Sequence, residues 1–188
     1  MSQLKKYNFK GIASILLAML FISCTNNIKE VRDFLADKNL PIAVAKNINL
    51  IHTDSGIVKT KLRAPLLYDY SNRKLHPYQE FPEGLKLTTF QDSGDSILIS
   101  ANYGKTYTKT NISEIIGNVE IFNYASNTKL LTNQLYWDQN LHYFFTEKKV
   151  RIISEKDTTF GQGFEANEDL SKAIIKNTSG ILYVNENN

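Results

Sequence analysis

Gly117-Asn118-Val119-Glu120-Ile121 is echoed by Lys149-Val150-Arg151-Ile152 and again by Ser179-Gly180-Ile181-Leu182, so that Val119, Val150 and Ile181 follow one another at intervals of 31 residues. A fixed period of this kind means stacked supersecondary units, because one unit alone cannot cover its own apolar face. An earlier copy begins at Pro82-Glu83-Gly84-Leu85-Lys86-Leu87. Between the markers lie Ile99-Ser100-Ala101-Asn102, Asn133 to Asp138 and Gly163 to Asn167. Each unit has room for a pair of strands, and about four copies give a twisted sheet folded over on itself.

The local texture agrees. After Pro82, short β-branched and aromatic runs are punctuated by turn clusters: Asp92-Ser93-Gly94-Asp95, Gly117-Asn118, Ser126-Asn127, Asp138-Gln139-Asn140, Asn167-Glu168-Asp169 and Ser179-Gly180. Alternation within the runs and the lack of any sustained 3.6-residue period predict an all-β protein with almost no helix after residue 41. All four prolines, Pro41, Pro65, Pro77 and Pro82, fall before Gly84. Proline removes a ladder donor, so residues 41 to 84 are expected to form an interrupted opening to an otherwise continuous sheet. From Asn26 to Leu40, Ile28, Val31, Phe34 and Leu35 fall in a loosely helical pattern that fits a short amphipathic turn or a tether equally well.

The N-terminus carries a different signal. Lys5, Lys6 and Lys10 precede an apolar stretch from Gly11 to Ile22, which ends at Ser23 and Cys24, the only cysteine of the chain. A basic segment, a short apolar segment and a small residue before the cut describe a signal peptide; the stretch is too short for a membrane span, which takes about 20 residues. The expected organisation is a signal over residues 1–23, a tether over 24–41 that starts at a lipidated (palmitate-bearing) Cys24, and a domain over 42–188. Without the first 23 residues, which hold three lysines and no acid, Lys and Arg fall from 22 to 19, level with the 19 Asp and Glu. The basic balance therefore belongs to the signal, and no clustered stripe points to nucleic acid.

Catalytic constellations are missing from the sequence. His52, His76 and His142 are scattered, neither G-x-S-x-G nor H-E-x-x-H occurs, and the lone thiol is accounted for by the signal. Asp92 to Asp95 lacks the ligand count of a calcium loop, and no helix pattern follows Gly161 and Gly163 as a phosphate loop requires; the two glycines mark a bulged strand. The expectation is a protein without enzymatic activity, cofactor or metal.

Phe81-Pro82-Glu83-Gly84, Ser100-Ala101-Asn102, Gly117-Asn118-Val119, Leu135-Tyr136-Trp137-Asp138, Gly161 to Ala166 and Lys176 to Gly180, in this order and spacing, resemble the LptC family, the periplasmic component of lipopolysaccharide export. The resemblance covers roughly residues 42 to 184, and the lipoprotein-type N-terminus is similar to forms in Bacteroidetes-like bacteria, with Cys24 where better-studied members have a transmembrane helix. It implies a β-jelly-roll opening into a V-shaped groove. Such a protein takes lipopolysaccharide, by its acyl chains, from an inner-membrane ABC permease complex and hands it to a periplasmic bridge protein of the same fold. It implies a periplasmic location too, with the lipid anchor in a membrane, the inner membrane favoured.

Alternation assigns Ile97, Ile99, Ala101, Val119, Ile121, Leu135, Trp137, Val150 and Ile152 to the inward face, as groove lining or as ordinary sheet core; Gly163 joins them because a missing side chain leaves room for a ligand. A second function class is an outer-membrane-associated structural or adhesive β-lipoprotein that binds only protein. A lined, open seam favours transfer, and a dry closed interior favours the second class.

Overall fold

The computed structural model describes residues 28–168, Leu170 and residues 172–180; the signal segment, Cys24 and Ile181 lie outside them. Helix α1 (Ile28–Asp37) is followed by strands β1 (Ala43–Asp54), β2 (Ile57–Tyr70), β3 (Tyr78–Phe81), β4 (Leu85–Phe90), β5 (Ser96–Ala101), β6 (Tyr103–Tyr107), β7 (Ile112–Asn123), β8 (Thr128–Asp138), β9 (Tyr143–Ile153), β10 (Thr158–Asn167), β11 (Ala173–Ile175) and β12 (Ser179–Gly180). All twelve strands belong to one sheet, with antiparallel pairing throughout.

The connectivity is simpler than the strand count suggests. β3 and β4 pair side by side with β2 and are two halves of one run cut at Pro82–Gly84. β5 and β6 are likewise one run cut at Asn102, and β11 and β12 both pair with β10. The chain is thus an up-and-down meander in which each long run lies beside the one before it.

One line of irregularities crosses the meander. Register shifts fall between Ile116 and Val119 in β7, between Thr132 and Tyr136 in β8, and between Gln162 and Phe164 in β10. Asn47 and Pro65 face each other in a gap between the Lys46–Leu66 and Ile48–Ala64 pairs. Asn47, Gly84, Gly117, Asn118 and Gly163, all on this line, have positive φ. Bulges bend a strand and increase its local twist, and a row of them creases the sheet. The two halves fold over this crease, so that Phe81, Ile115, Leu135 and Phe144 from one layer and Leu87, Ile99, Ile121 and Val150 from the other enter a single buried cluster. Backbone groups freed at the crease find side chains: Thr132 donates to the Lys149 carbonyl at 3.0 Å, and the Lys148 amide donates to Thr146 Oγ1 at 3.1 Å. Both threonines are buried.

The jelly-roll-like all-β fold is as expected, and no residue described after Asp37 is helical. Three local expectations are corrected. Residues 41 to 84 are interrupted only after β2: β1 and β2 are among the longest strands and form an extended hairpin, and the breaks fall at residues 71–77 and 82–84. Pro65 is tolerated because it sits on the crease, where it has no ladder partner in β1 and lies beyond the end of the β2–β4 pairing at Arg63 and before the β2–β3 pairing at Tyr68. Gly117-Asn118 is a bulge inside β7 rather than a turn, and Ser179-Gly180 is a strand paired with β10.

Candidate functional site: a seam between the layers

The two layers do not meet equally well along their length. Toward β9 and β10 the interior is filled by Phe144, Phe164, Val150 and Ala166, each at most 3% exposed. Toward β1 a cavity of about 300 Å³ remains. Leu62 of β2 and Leu85 and Leu87 of β4 form one wall, Phe81, Ile115 and Trp137 form the other, and Leu50 and His52 of β1 lie at the margin. β1 is an edge strand, paired only with β2 among the described residues, and Leu50 is 55% exposed. The cavity is therefore an open seam with its mouth along β1.

Part of the seam lining is polar. Gln139 Nε2 donates to Ser113 Oγ at 2.8 Å, and Thr106 and Ser113 share a hydroxyl hydrogen bond of 2.8 Å. Trp137 Nε1 is buried without a hydrogen-bond partner. An unpaired buried donor is costly, so Trp137→Phe is expected to leave stability almost unchanged, lost ring area being offset by removal of the orphan N–H; a thermal melt shifted by no more than about 3 °C would bear this out.

The residues singled out by alternation divide into groups. Ile97, Ile99, Val119, Ile121, Leu135 and Val150 are at most 3% exposed and lie in the common core; Ile152 packs against it, partly buried. Trp137 lines the seam. Ala101 borders a separate cleft of about 670 Å³ along the crease, among Asn47, Asn49, Asn102 and Asn118. Gly163 sits at the crease, where an added Cβ would come within 3.0 Å of the Lys176 side chain. Of the seam residues that the sequence reading passed over, Leu50, Leu62 and Phe81 belong to the proline-containing segment, and Leu85, Leu87 and Ile115 follow it. The alternation Ile48, Leu50, His52 on β1 was the available signal.

The outer face of the layer built from β3, β6, β7 and β8 is a ladder of phenols on carboxylates. Tyr103 donates to Glu80 at 2.8 Å, Tyr136 to Glu114 at 3.1 Å and, further along, Tyr143 to Glu165 at 2.7 Å. Tyr103 is held well above the ordinary phenol range, first by burial and then by the bond to Glu80. Glu165 is pushed down by hydrogen bonds from Lys176 and Tyr143, an arrangement that ties the segment after β11 to β10.

A family model described as lipopolysaccharide-assembly, LptC-related, matches residues 12–183. The chain belongs to the LptC family. It therefore takes part in lipopolysaccharide transport, in a family of transport components rather than enzymes, and its setting is the periplasm in association with the inner membrane and the Lpt transport system. No curated protein matches the chain. Among the described residues no helix is long and apolar enough to cross a membrane. The alternative of an adhesive β-lipoprotein receives no support from family membership.

Proposed function

We propose that this LptC-family chain is a lipid-transfer relay, which receives lipopolysaccharide from the inner-membrane ABC permease complex and passes it to a periplasmic bridge protein of like fold. The seam between the layers is the observation that carries the reading: it is largely apolar on both walls, carries a polar patch, and is open along an edge strand. Its volume of about 300 Å³ is at the lower end of ligand pockets, so one acyl chain would enter first. Each methylene buried there contributes about 0.8 kcal/mol. The free edge of β1 offers a row of unpaired backbone groups for strand addition; it would face the transporter, and the C-terminal edge would face the bridge.

Photoreactive residues at Leu50 and Leu62 are expected to crosslink lipopolysaccharide in cells, whereas one at Phe122, which alternates to the opposite side of β7 from Ile121, is expected to give none. Equal labelling at all three positions would sink the seam as the lipid path.

The anchor belongs to the same reading: residues 1–23 are removed and Cys24 carries the lipid, as in lipoprotein-type members of the family, with residues 24–41 as tether to a transfer domain over 42–188. Cys24→Ala is expected to abolish incorporation of radioactive palmitate and to leave uncleaved precursor. Normal processing of the variant, with no label on the wild type, would exclude a lipoprotein.

A further inference from the structure

Helix α1 buries none of its residues, yet it carries a continuous apolar stripe. Ile28, Val31 and Phe34 are 77%, 56% and 60% exposed. At 3.6 residues per turn they share one side, while Asp33 falls opposite and Glu30 and Asp37 border the stripe beside Phe34. Leu40, Ile42 and Val44, which follow the helix, are also exposed.

This helix is fixed to the domain rather than trailing from it. Arg73 donates to the Ala36 carbonyl at 2.9 Å and Asn72 to the Leu40 carbonyl at 3.2 Å, while the Arg73 guanidinium lies 5.0 Å from the Tyr70 ring centre. Arg73 and Lys74 flank a cleft against the end of the helix together with the 78%-exposed Leu75, and Lys109 donates to the Lys74 and Leu75 carbonyls. Lys38 follows the stripe at its C-terminal end. The helix begins four residues after Cys24, itself preceded by the apolar run from Gly11 to Ile22.

From this we infer that α1 lies flat in the headgroup region of the membrane, its Ile28–Val31–Phe34 face among the acyl chains and Lys38 and Lys74 toward anionic lipid phosphates. An apolar stripe with cations at its end and a charged opposite side is the pattern of interfacial helices. Because the helix is bonded to the turn between β2 and β3, it would set the orientation of the jelly-roll against the bilayer, which a flexible tether cannot do. The position of the membrane rests on Cys24 as the anchor; the exposed stripe does not.

The test introduces Phe34→Trp into the full-length protein and reconstitutes the purified product in vesicles of phosphatidylethanolamine and phosphatidylglycerol, with bromine on the upper acyl-chain carbons. Trp137, the only native tryptophan, supplies the background from wild-type protein. The expected result is that bromine removes about half or more of the added fluorescence and leaves the Trp137 signal unchanged. Unquenched added fluorescence on vesicle-bound protein overturns the proposal. Running the same pair with residues 1–24 replaced by a signal that is cut off without lipidation, so that neither the thiol nor the apolar run from Gly11 to Ile22 remains, separates the two readings: quenching that persists supports the helix independently of the anchor. If the Cys24 protein floats with the vesicles but is not quenched, the anchor stands and the interfacial helix falls.

Discussion

Ile121→Asp is expected to abolish the native fold. Ile121 is fully buried, and its β5 partner in the ladder, Ile99, is 1% exposed. A carboxylate there has no cation or donor to meet it and no route to water, since the seam ends short of this position. The penalty of an unpaired buried charge, about 4–5 kcal/mol or more, is comparable to the whole stability of many domains. Circular dichroism and resistance to proteolysis would report the loss. The neighbouring Glu120 points outward and pairs with Lys129 at 3.0 Å; Glu120→Lys removes only a half-exposed ion pair and should cost about 1 kcal/mol or less. A folded Ile121→Asp protein would mean that the interior there is open to water.

The second large effect is expected at the crease. Gly84 has φ +89°, and a Cβ on it would stand 2.7 Å from the Ala101 carbonyl oxygen, a backbone atom that cannot step aside. Gly94 has nearly the same φ, +91°, with nothing within 4 Å of an added Cβ. Gly94→Ala therefore measures the conformational penalty alone, about 1 kcal/mol, whereas Gly84→Ala adds a collision that strains both β4 and the β5–β6 break, for a total of about 3 kcal/mol. Urea titrations of the two variants compare them directly. Equal midpoints would show that the crease relaxes around a methyl group, and its close backbone approach would then be incidental.

Much of this architecture is legible in the sequence because two-residue alternation is a direct imprint of a half-buried strand. Ile97 and Ile99, Val119 and Ile121, and Val150 all lie on the buried side that alternation assigns them. The 31-residue spacing is visible because Val119, Thr132 and Val150 occupy one row across β7, β8 and β9, so each hairpin returns the chain to the same place on the crease. What alternation cannot reveal is whether another layer stands opposite an inward side chain. Leu135 and Trp137 are two residues apart on one face of β8; the first is sealed and the second lines the seam. Proline misled for a related reason. Its missing donor argues against a strand only where a partner waits for it, and Pro65 lies at a level of β2 where neither neighbour does. Gly117-Asn118 carries the residue types of a tight hairpin turn, and positive φ is indeed what it supplies; a bulge demands the same conformations, and the difference lies in the long-range pairing of β7 with β8.

The crease also decides how the molecule can move. In an ordinary sandwich the two sheets are separate, and one can slide across the other. Here β2, β7, β8, β9 and β10 each pass from one layer into the other, so sliding would tear the ladder in every strand that crosses. What remains is rotation, as the covers of a book turn about the spine, with the flexed pages represented by Asn47, Gly84, Gly117, Asn118 and Gly163. The packed β9–β10 end acts as the bound corner, so the gap is widest at β1. On the proposed lipid path, a ligand arriving at that edge would meet a hinge with a single degree of freedom, and its entry would be coupled to strand addition at the same edge without any second moving part.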